Sequence, residues 1–168
     1  DAVPTGRTPV AKEGYAFDYW TDSTQENVKE FDPAMGSFKV AYTQDATFTA
    51  YFDVDVKGDA DNNNGPDNIP DKYQIVFTYV SADENTGYVD GVKYETFTDT
   101  TYSGLPTDAI PTGRTPVAKE GYAFDYWTDS TQENVKDFDP AMSSFKVAYE
   151  QDATFTAYFD VDVKGDAD

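Results

Sequence analysis

The 168-residue sequence contains no cysteine and no histidine. The missing cysteine excludes disulfide bonds and thiolate nucleophiles, and the missing histidine excludes imidazole bases. Zinc sites built on either residue are excluded for the same reason. Most familiar catalytic machinery is therefore absent from this chain.

Basic residues are also scarce, since 12 Lys and Arg stand against 32 Asp and Glu, giving a formal net charge of −20. Such a chain repels phosphate backbones and anionic lipid, so we expect no nucleic-acid partner and no membrane partner. No apolar run approaches the length of a membrane span, and no signal-peptide pattern is visible at the N-terminal end. Cations are the natural partners.

The sequence is dominated by an internal duplication. Residues 1–61 and 108–168 align without a gap at an offset of 107 and differ at only four pairs of positions: Val3/Ile110, Glu30/Asp137, Gly36/Ser143 and Thr43/Glu150. The segment EGYAFDYWTD at 13–22 recurs letter for letter at 120–129. Both ends of the chain fall inside the repeat, as in a window cut from a longer polymer. The chain is therefore predicted to be part of a repeat array.

The period divides the chain into predicted segments. The 13 Tyr, 12 Phe and 2 Trp residues favour β-rich bodies with their own cores. Residues 72–162 are predicted to form a complete module, which opens with a β-hairpin turning near 85–87. Residues 1–55 hold only the second half of a module, which a neighbour or a continuous fibre would complete. Residues 56–71 form an acidic linker rich in Asn, Gly and Pro, and residues 163–168 begin the next one.

Alternation of apolar residues predicts the elements of the repeated half. Tyr15 and Phe17 are expected to face the core, and Trp20 either turns inward at a bulge or covers the sheet edge. A short strand is predicted at 8–11, and one or two helical turns at 22–30. The run FKVAY at 38–42 is predicted to pair with the strand ATFTAYF at 46–52.

These motifs together resemble a known family. The order YQIVFTYV, VKYETF, EGYAFDYWTD and DATFTAYF is similar to the Listeria-Bacteroides repeat, also called the internalin B-type repeat. The spacing of Gly121, Tyr122, Phe124 and Trp127 carries the resemblance, which covers residues 72–160 and, for the second half alone, residues 8–52. The chain departs from the family pattern in its longer middle, FKVAY, and in Tyr126, where the family commonly has Gly.

The resemblance implies a mainly β fold of small β-grasp-like modules in tandem, with one or two helical turns per module. It also implies a secreted bacterial surface protein that uses such modules as stalk or adhesion domains, with no catalytic residues to carry over. We therefore expect a non-enzymatic structural repeat of an extracellular stalk, adhesin or filament at the cell surface. Its expected partners are neighbouring repeat modules, in the same chain or in an adjacent subunit.

The linker carries the candidate metal ligands. Side-chain oxygens follow one another at spacings of two and four residues on a Gly-containing loop: Asp59, Asp61, Asn63, Asp67 and Asp71. Calcium takes ligands of this kind. The simpler interpretation is a solvated acidic spacer, because Asn68 stands where such loops usually have Gly and no bidentate Glu follows. If calcium binds, it would stiffen the joint between modules.

Other functions stay open at this stage. The chain could be a multivalent adhesin that binds host carbohydrate or protein, because Tyr and Trp stack on sugar rings. The candidate rings are Tyr19, Trp20, Tyr42 and Tyr51, with their equivalents Tyr126, Trp127, Tyr149 and Tyr158, although core packing explains most strand aromatics. An isopeptide bond would need a buried Lys, but the strand lysines Lys39, Lys93 and Lys146 have outward parity. For a glycosidase, nothing marks one pair of the 32 acids as special.

Overall fold

The computed structural model describes residues 2–24, 35–57, 65–132 and 139–162, and over these ranges the fold is mainly β, as predicted. Eight strands follow one another: β1 (Tyr15–Asp22), β2 (Phe48–Val54), β3 (Gln74–Ser81), β4 (Gly87–Asp90), β5 (Tyr94–Thr98), β6 (Thr115–Ala118), β7 (Tyr122–Asp129) and β8 (Ala153–Val161). Short 3₁₀ turns lie at Gly36–Phe38, Asp71–Tyr73 and Ser143–Phe145. The helical turns predicted at 22–30 fall mostly outside the described residues. The β-grasp-like character of each module stays a prediction.

The chain forms two compact units, an N-terminal unit of Asp1–Gln74 with Thr98–Leu105 and a C-terminal unit of Ile75–Phe97 with Pro106–Asp168. In the N-terminal unit, β1 and β2 pair antiparallel. Its core contains Phe17, Trp20, Met35 and Phe38, with Phe48 and Ala50 packed against them. The described parts of the predicted linker, residues 56–57 and 65–71, thus belong to the same unit as the first half-module.

The C-terminal unit has a four-stranded sheet in the order β5-β3-β8-β7. β8 pairs parallel with β3 on one side and antiparallel with β7 on the other. Strands β4 and β6 form a separate antiparallel pair. The core is larger than that of the N-terminal unit and includes Phe77, Tyr79, Trp127 and Phe155, all fully buried. The predicted hairpin would pair β3 with the strand that follows its turn. In the structure β3 instead lies beside β5, and β4 pairs with β6.

The repeated stretch has the same irregularity in both copies. The register shifts between Phe17 and Tyr19 in β1, and between Phe124 and Tyr126 in β7. This bulge changes the side-chain parity and turns Trp20 inward, which confirms one of the two predicted alternatives. The prediction for Phe17 is confirmed, but that for Tyr15 is wrong, because Tyr15 is 49% exposed.

The predicted strand FKVAY is wrong. The chain enters this stretch through Met35 in the left-handed region, with φ 55°, and continues as the 3₁₀ turn Gly36–Phe38. Lys39 follows with φ −79° and ψ 53°, and the Val40 N–H donates to the Phe38 carbonyl at 2.8 Å. These values describe an inverse γ-turn, so the chain bends where the alternating pattern predicted extension. Met142 and Lys146 repeat this course in the second copy.

The strand predicted at residues 8–11 does not form there in the described structure, but it forms at the equivalent residues of the second copy. Residues 8–11 have no strand partner in the described structure, whereas the equivalent Thr115–Ala118 is β6 and pairs with β4. β4 belongs to the segment that lies between the two copies. The same sequence therefore becomes a strand only where the hairpin segment supplies its partner.

Candidate functional site

The most elaborate polar site lies where the linker packs against the first copy. We call residues 65–74 the linker segment, and we call Ala16, Asp18, Tyr19, Tyr51, Asp53 and Asp55 the acceptor face. The Lys72 ammonium forms an ion pair with Asp18 and lies 3.2 Å from Asp53 Oδ2. The Tyr73 hydroxyl donates to Asp18 Oδ1 at 2.8 Å. Asp18 is only 3% exposed, so its carboxylate is satisfied by the linker segment rather than by bulk water.

Aromatic rings surround this ion pair. Tyr19 and Tyr51 stack with their ring centroids 4.8 Å apart, and Lys72 Nζ lies 5.8 Å from the centroid of the Tyr19 ring. Tyr73 in turn packs edge-to-face on Tyr102, with centroids 5.5 Å apart. A cation near aromatic faces gains further attraction from the ring quadrupoles. The negative charge of Asp18 and Asp53 and the surrounding aromatic rings therefore both favour a Lys followed by a Tyr.

The electrostatic environment favours the charged lysine. Burial alone lowers the pKa of Lys72, but the hydrogen bond and the charge of Asp18, together with Asp53, outweigh it and raise the pKa above its usual value. Burial, followed by the hydrogen bond to Asp18, raises the pKa of Tyr73 to about 12. Lys72 is thus protonated and Tyr73 neutral throughout the physiological range, which is the state that this geometry requires.

A second contact fixes the start of the linker segment. Asp55 is fully buried, and its carboxylate accepts the backbone N–H groups of Asp67 at 3.2 Å and Asn68 at 2.8 Å. Asn68 has φ 67°, a left-handed conformation that Asn tolerates better than most residues. Burial raises the pKa of Asp55, and the nearby charges of Asp67 and Asp71 add to the shift. The linker segment is therefore held at both ends.

The candidate calcium ligands divide into two groups. Asp59, Asp61 and Asn63 lie outside the described residues. Asp67 accepts the Ile69 N–H at 2.9 Å and the Gln74 side-chain amide at 2.6 Å. Asp71 Oδ1 accepts the N–H groups of Val56 at 3.0 Å and Lys57 at 2.9 Å. Within the described ranges, no three acidic side chains are grouped as a metal site, so calcium binding stays a prediction.

The aromatic residues considered for sugar binding are mostly used inside the fold. Trp20 is 8% exposed and Trp127 fully buried, so neither is available to stack on a ligand. The Tyr42 and Tyr149 hydroxyls donate to Asp22 and Asp129, at 2.6 and 2.5 Å. Tyr51, at 43% exposed, is the candidate of the first copy with most open surface. The strand lysines considered for an isopeptide bond, Lys39, Lys93 and Lys146, are all exposed, as their parity predicted.

Sequence reasoning found the acidic linker but missed the face that receives it. From the sequence, no role is predicted for Asp18 or Asp53, and Lys72 is predicted only as the first residue of a module. One signal was available, because Asp18 interrupts the aromatic run YAFDYW at the centre of a strand. A carboxylate at such a position loses solvation unless a cation or hydrogen-bond donor covers it.

Comparison of the chain with protein-family models, curated proteins and solved structures gives no significant match. Among the described residues, no helix has the length and apolar character needed to cross a bilayer. Functional inference therefore rests on the chain's own residues.

Proposed function

We propose that this chain is a section of a non-enzymatic structural repeat protein, an extracellular bacterial surface stalk, adhesin or filament. In this proposal each 107-residue period adds one module, and the linker segment joins each module to the next. The extracellular, bacterial setting is suggested by the resemblance to internalin B-type repeats. The partners are neighbouring modules of the same protein.

The observation that carries the proposal is the docked linker segment. Residues 72 and 73 follow the first copy in the chain and fold back onto it through Asp18. A linker rich in Gly, Asn and Asp would otherwise behave as a flexible coil. Holding its end against the preceding half-module shortens the free part of the joint, which is what a stiff spacer needs and what catalysis does not require.

The near-identity of the two copies supports the same conclusion. Both copies build an antiparallel pair with the same bulge and the same register, from Tyr15↔Val54 in β1 and β2 to Tyr122↔Val161 in β7 and β8. In repeat proteins, length grows by addition of such units, and stability is the sum of unit and interface terms. Calcium bound to the acidic linker would stiffen the joint further and stays part of the proposal.

Solution scattering of chains with one, two and three further 107-residue periods tests this function. The maximum dimension should grow by a constant step per period. A variant with Lys72→Ala and Tyr73→Phe in every period should scatter as a more flexible chain of the same composition. A maximum dimension that levels off as periods are added would exclude a stalk or filament.

The alternative, a multivalent carbohydrate- or host-binding adhesin module, has less support because both tryptophans are buried. Its remaining candidate surfaces are the Tyr19–Tyr51 stack, which the linker segment contacts through Lys72, and the equivalent Tyr126–Tyr158 stack. A tandem chain that bound a glycan array, with the signal lost in Tyr51→Ala, would favour this alternative.

A further inference from the structure

The second copy of the acceptor face is more exposed than the first, over the residues that the structure describes. Its residues are Ala123, Asp125, Tyr126, Tyr158, Asp160 and Asp162, the offset-107 equivalents of those in the first copy. Ala16 and Asp55 are fully buried and Asp18 is 3% exposed, whereas Ala123, Asp125 and Asp162 are all exposed. The same side chains therefore exist in one chain in a covered and an open state.

Local sequence does not cause this difference. The two copies differ at four pairs of positions, and none of them belongs to the acceptor face. In the first copy, residues of the linker segment contact the face through Asp18 and Asp55. Residues 163–168, VKGDAD, repeat residues 56–61 and so begin the same linker sequence.

The open face already has the geometry of the covered one. Tyr126 and Tyr158 stack at 4.8 Å with their planes 13° apart, against 4.8 Å and 11° for Tyr19 and Tyr51. The N–H of Asp162 donates to the Gly121 carbonyl at 2.9 Å, as that of Asp55 does to Gly14. No rearrangement of the strands is needed before a ligand docks, which lowers the entropic cost of docking.

The open carboxylates also present the same chemistry. Asp53 Oδ1 accepts the Val54 N–H at 2.8 Å and leaves Oδ2 for Lys72. Asp160 Oδ1 likewise accepts the Val161 N–H, at 2.7 Å. Asp125 corresponds to Asp18, which accepts both the lysine and the tyrosine hydroxyl in the first copy. The open face is thus an acidic surface that matches a Lys-Tyr pair in charge and in hydrogen bonding.

We propose that the face formed by Ala123, Asp125, Tyr126, Tyr158, Asp160 and Asp162 binds a linker segment with the sequence of residues 65–74, supplied by a further repeat. The inference rests on the proposed function, since it identifies the partner that would cover each successive face. The occupant is a further linker rather than an intact second copy, because each copy's own Lys72 and Tyr73 already cover its own first face. Each module would then hold the linker segment that follows it, so docking would join successive modules in one direction along the chain.

A thiol-accessibility experiment tests the proposal, because the chain has no cysteine of its own. Ala123→Cys is introduced into the 168-residue chain and into a chain extended after Asp168 by the sequence of residues 62–107. Ala16→Cys in the 168-residue chain is the matched buried control. The Ala123→Cys thiol should react rapidly in the shorter chain and about tenfold or more slowly in the extended one, approaching the Ala16→Cys rate.

A second extension, with Ala and Phe at the positions equivalent to Lys72 and Tyr73, should restore rapid labelling. If Ala16→Cys does not fold, the Ala123→Cys rates with the two extensions still decide the question. Equal, rapid labelling of Ala123→Cys in all three chains overturns the inference. This outcome is distinct from failure of the proposed function, because scattering can show elongated arrays whose linkers remain undocked, and docking can occur in arrays that do not elongate.

Discussion

Replacing Asp18 by Ala should destabilise the N-terminal unit, while the same substitution at the identical residue Asp125 should not. Both aspartates occupy the same bulged position of the same strand sequence, so intrinsic strand propensity and unfolded-state effects cancel in the comparison. What remains is the contact with the linker segment. The pair of variants therefore isolates the free energy of that contact.

The expected size follows from the partners that Asp18 would leave behind. The Tyr73 hydroxyl, on a residue only 9% exposed, would lose its acceptor, which costs about 1–3 kcal/mol. Lys72 would keep Asp53 and water, since its side chain is 41% exposed, so its loss adds no more than about 1 kcal/mol after solvent screening. We expect about 1–4 kcal/mol for Asp18→Ala. For the exposed Asp125 we expect less than about 0.5 kcal/mol.

Native-state hydrogen exchange resolved by residue is the appropriate assay, because the two units need not unfold together. Opening free energies of β1 and β2 amides should fall in Asp18→Ala, and those of β7 and β8 should stay unchanged in Asp125→Ala. Asp18→Asn should lie between Asp18→Ala and the natural chain, since an amide oxygen still accepts the Tyr73 hydroxyl. Equal effects at Asp18 and Asp125 would refute the reasoning.

Three other tests address separate parts of the molecule. Placing the sequence of residues 72–107 ahead of Asp1 should create a strand at residues 8–11, measured as slower amide exchange there; unchanged exchange would contradict the pairing explanation. Acid should loosen the turn at Ser143–Phe145, because the carboxylate of Asp139 accepts hydrogen bonds from it. Burial raises the pKa of Asp139, but the hydrogen bonds from Ser144 and Ser143 outweigh burial and bring the pKa to about 2. Its contribution is complete above the unfolded value of 3.8 and is lost as the pH falls through about 2, so Asp139→Asn should abolish this acid transition in the turn's NMR shifts. Calorimetric calcium titration should give heat that Asp59→Asn with Asp61→Asn removes, and a natural chain without heat would argue against a calcium linker.

The strands were predictable where side-chain alternation coincides with pairing. The aromatic alternation correctly located β1, β2, β7 and β8, although a bulge breaks the side-chain parity in β1 and β7. The bulge was foreseen only as one of two choices, since Trp20 has the wrong parity for a regular strand. The stretch at 38–42 failed because alternation of Phe38, Val40 and Tyr42 does not reveal a left-handed residue at 35 or a γ-turn at 39. Those bends accompany the burial of Met35 and Phe38, a tertiary feature that alternation does not show.

The candidate site was predictable in its position along the chain but not in its partners. Acidic spacing drew attention to residues 59–71, and two of those carboxylates proved to cap backbone N–H groups of their own loop and its surroundings. The pairing of Lys72 with Asp18 spans 54 residues of sequence. No local pattern encodes a contact of that separation. The contact is visible only in the fold, where the 3₁₀ turn Asp71–Tyr73 lies beside Asp18 of β1.

The two copies of the repeat allow equivalent residues to be compared within one chain. Ala16 and Ala123, like Asp18 and Asp125, have identical neighbours in sequence and the same strand register, yet the first of each pair is buried and the second exposed. A mutation cannot account for the difference, and neither can a change of backbone, because the adjoining tyrosine stacks agree in spacing. The Lys72-Tyr73 segment is docked on the first of these faces through Asp18. If the proposed docking holds, burial of the acceptor face belongs to the array rather than to the single module, and each added repeat should stabilise the one before it.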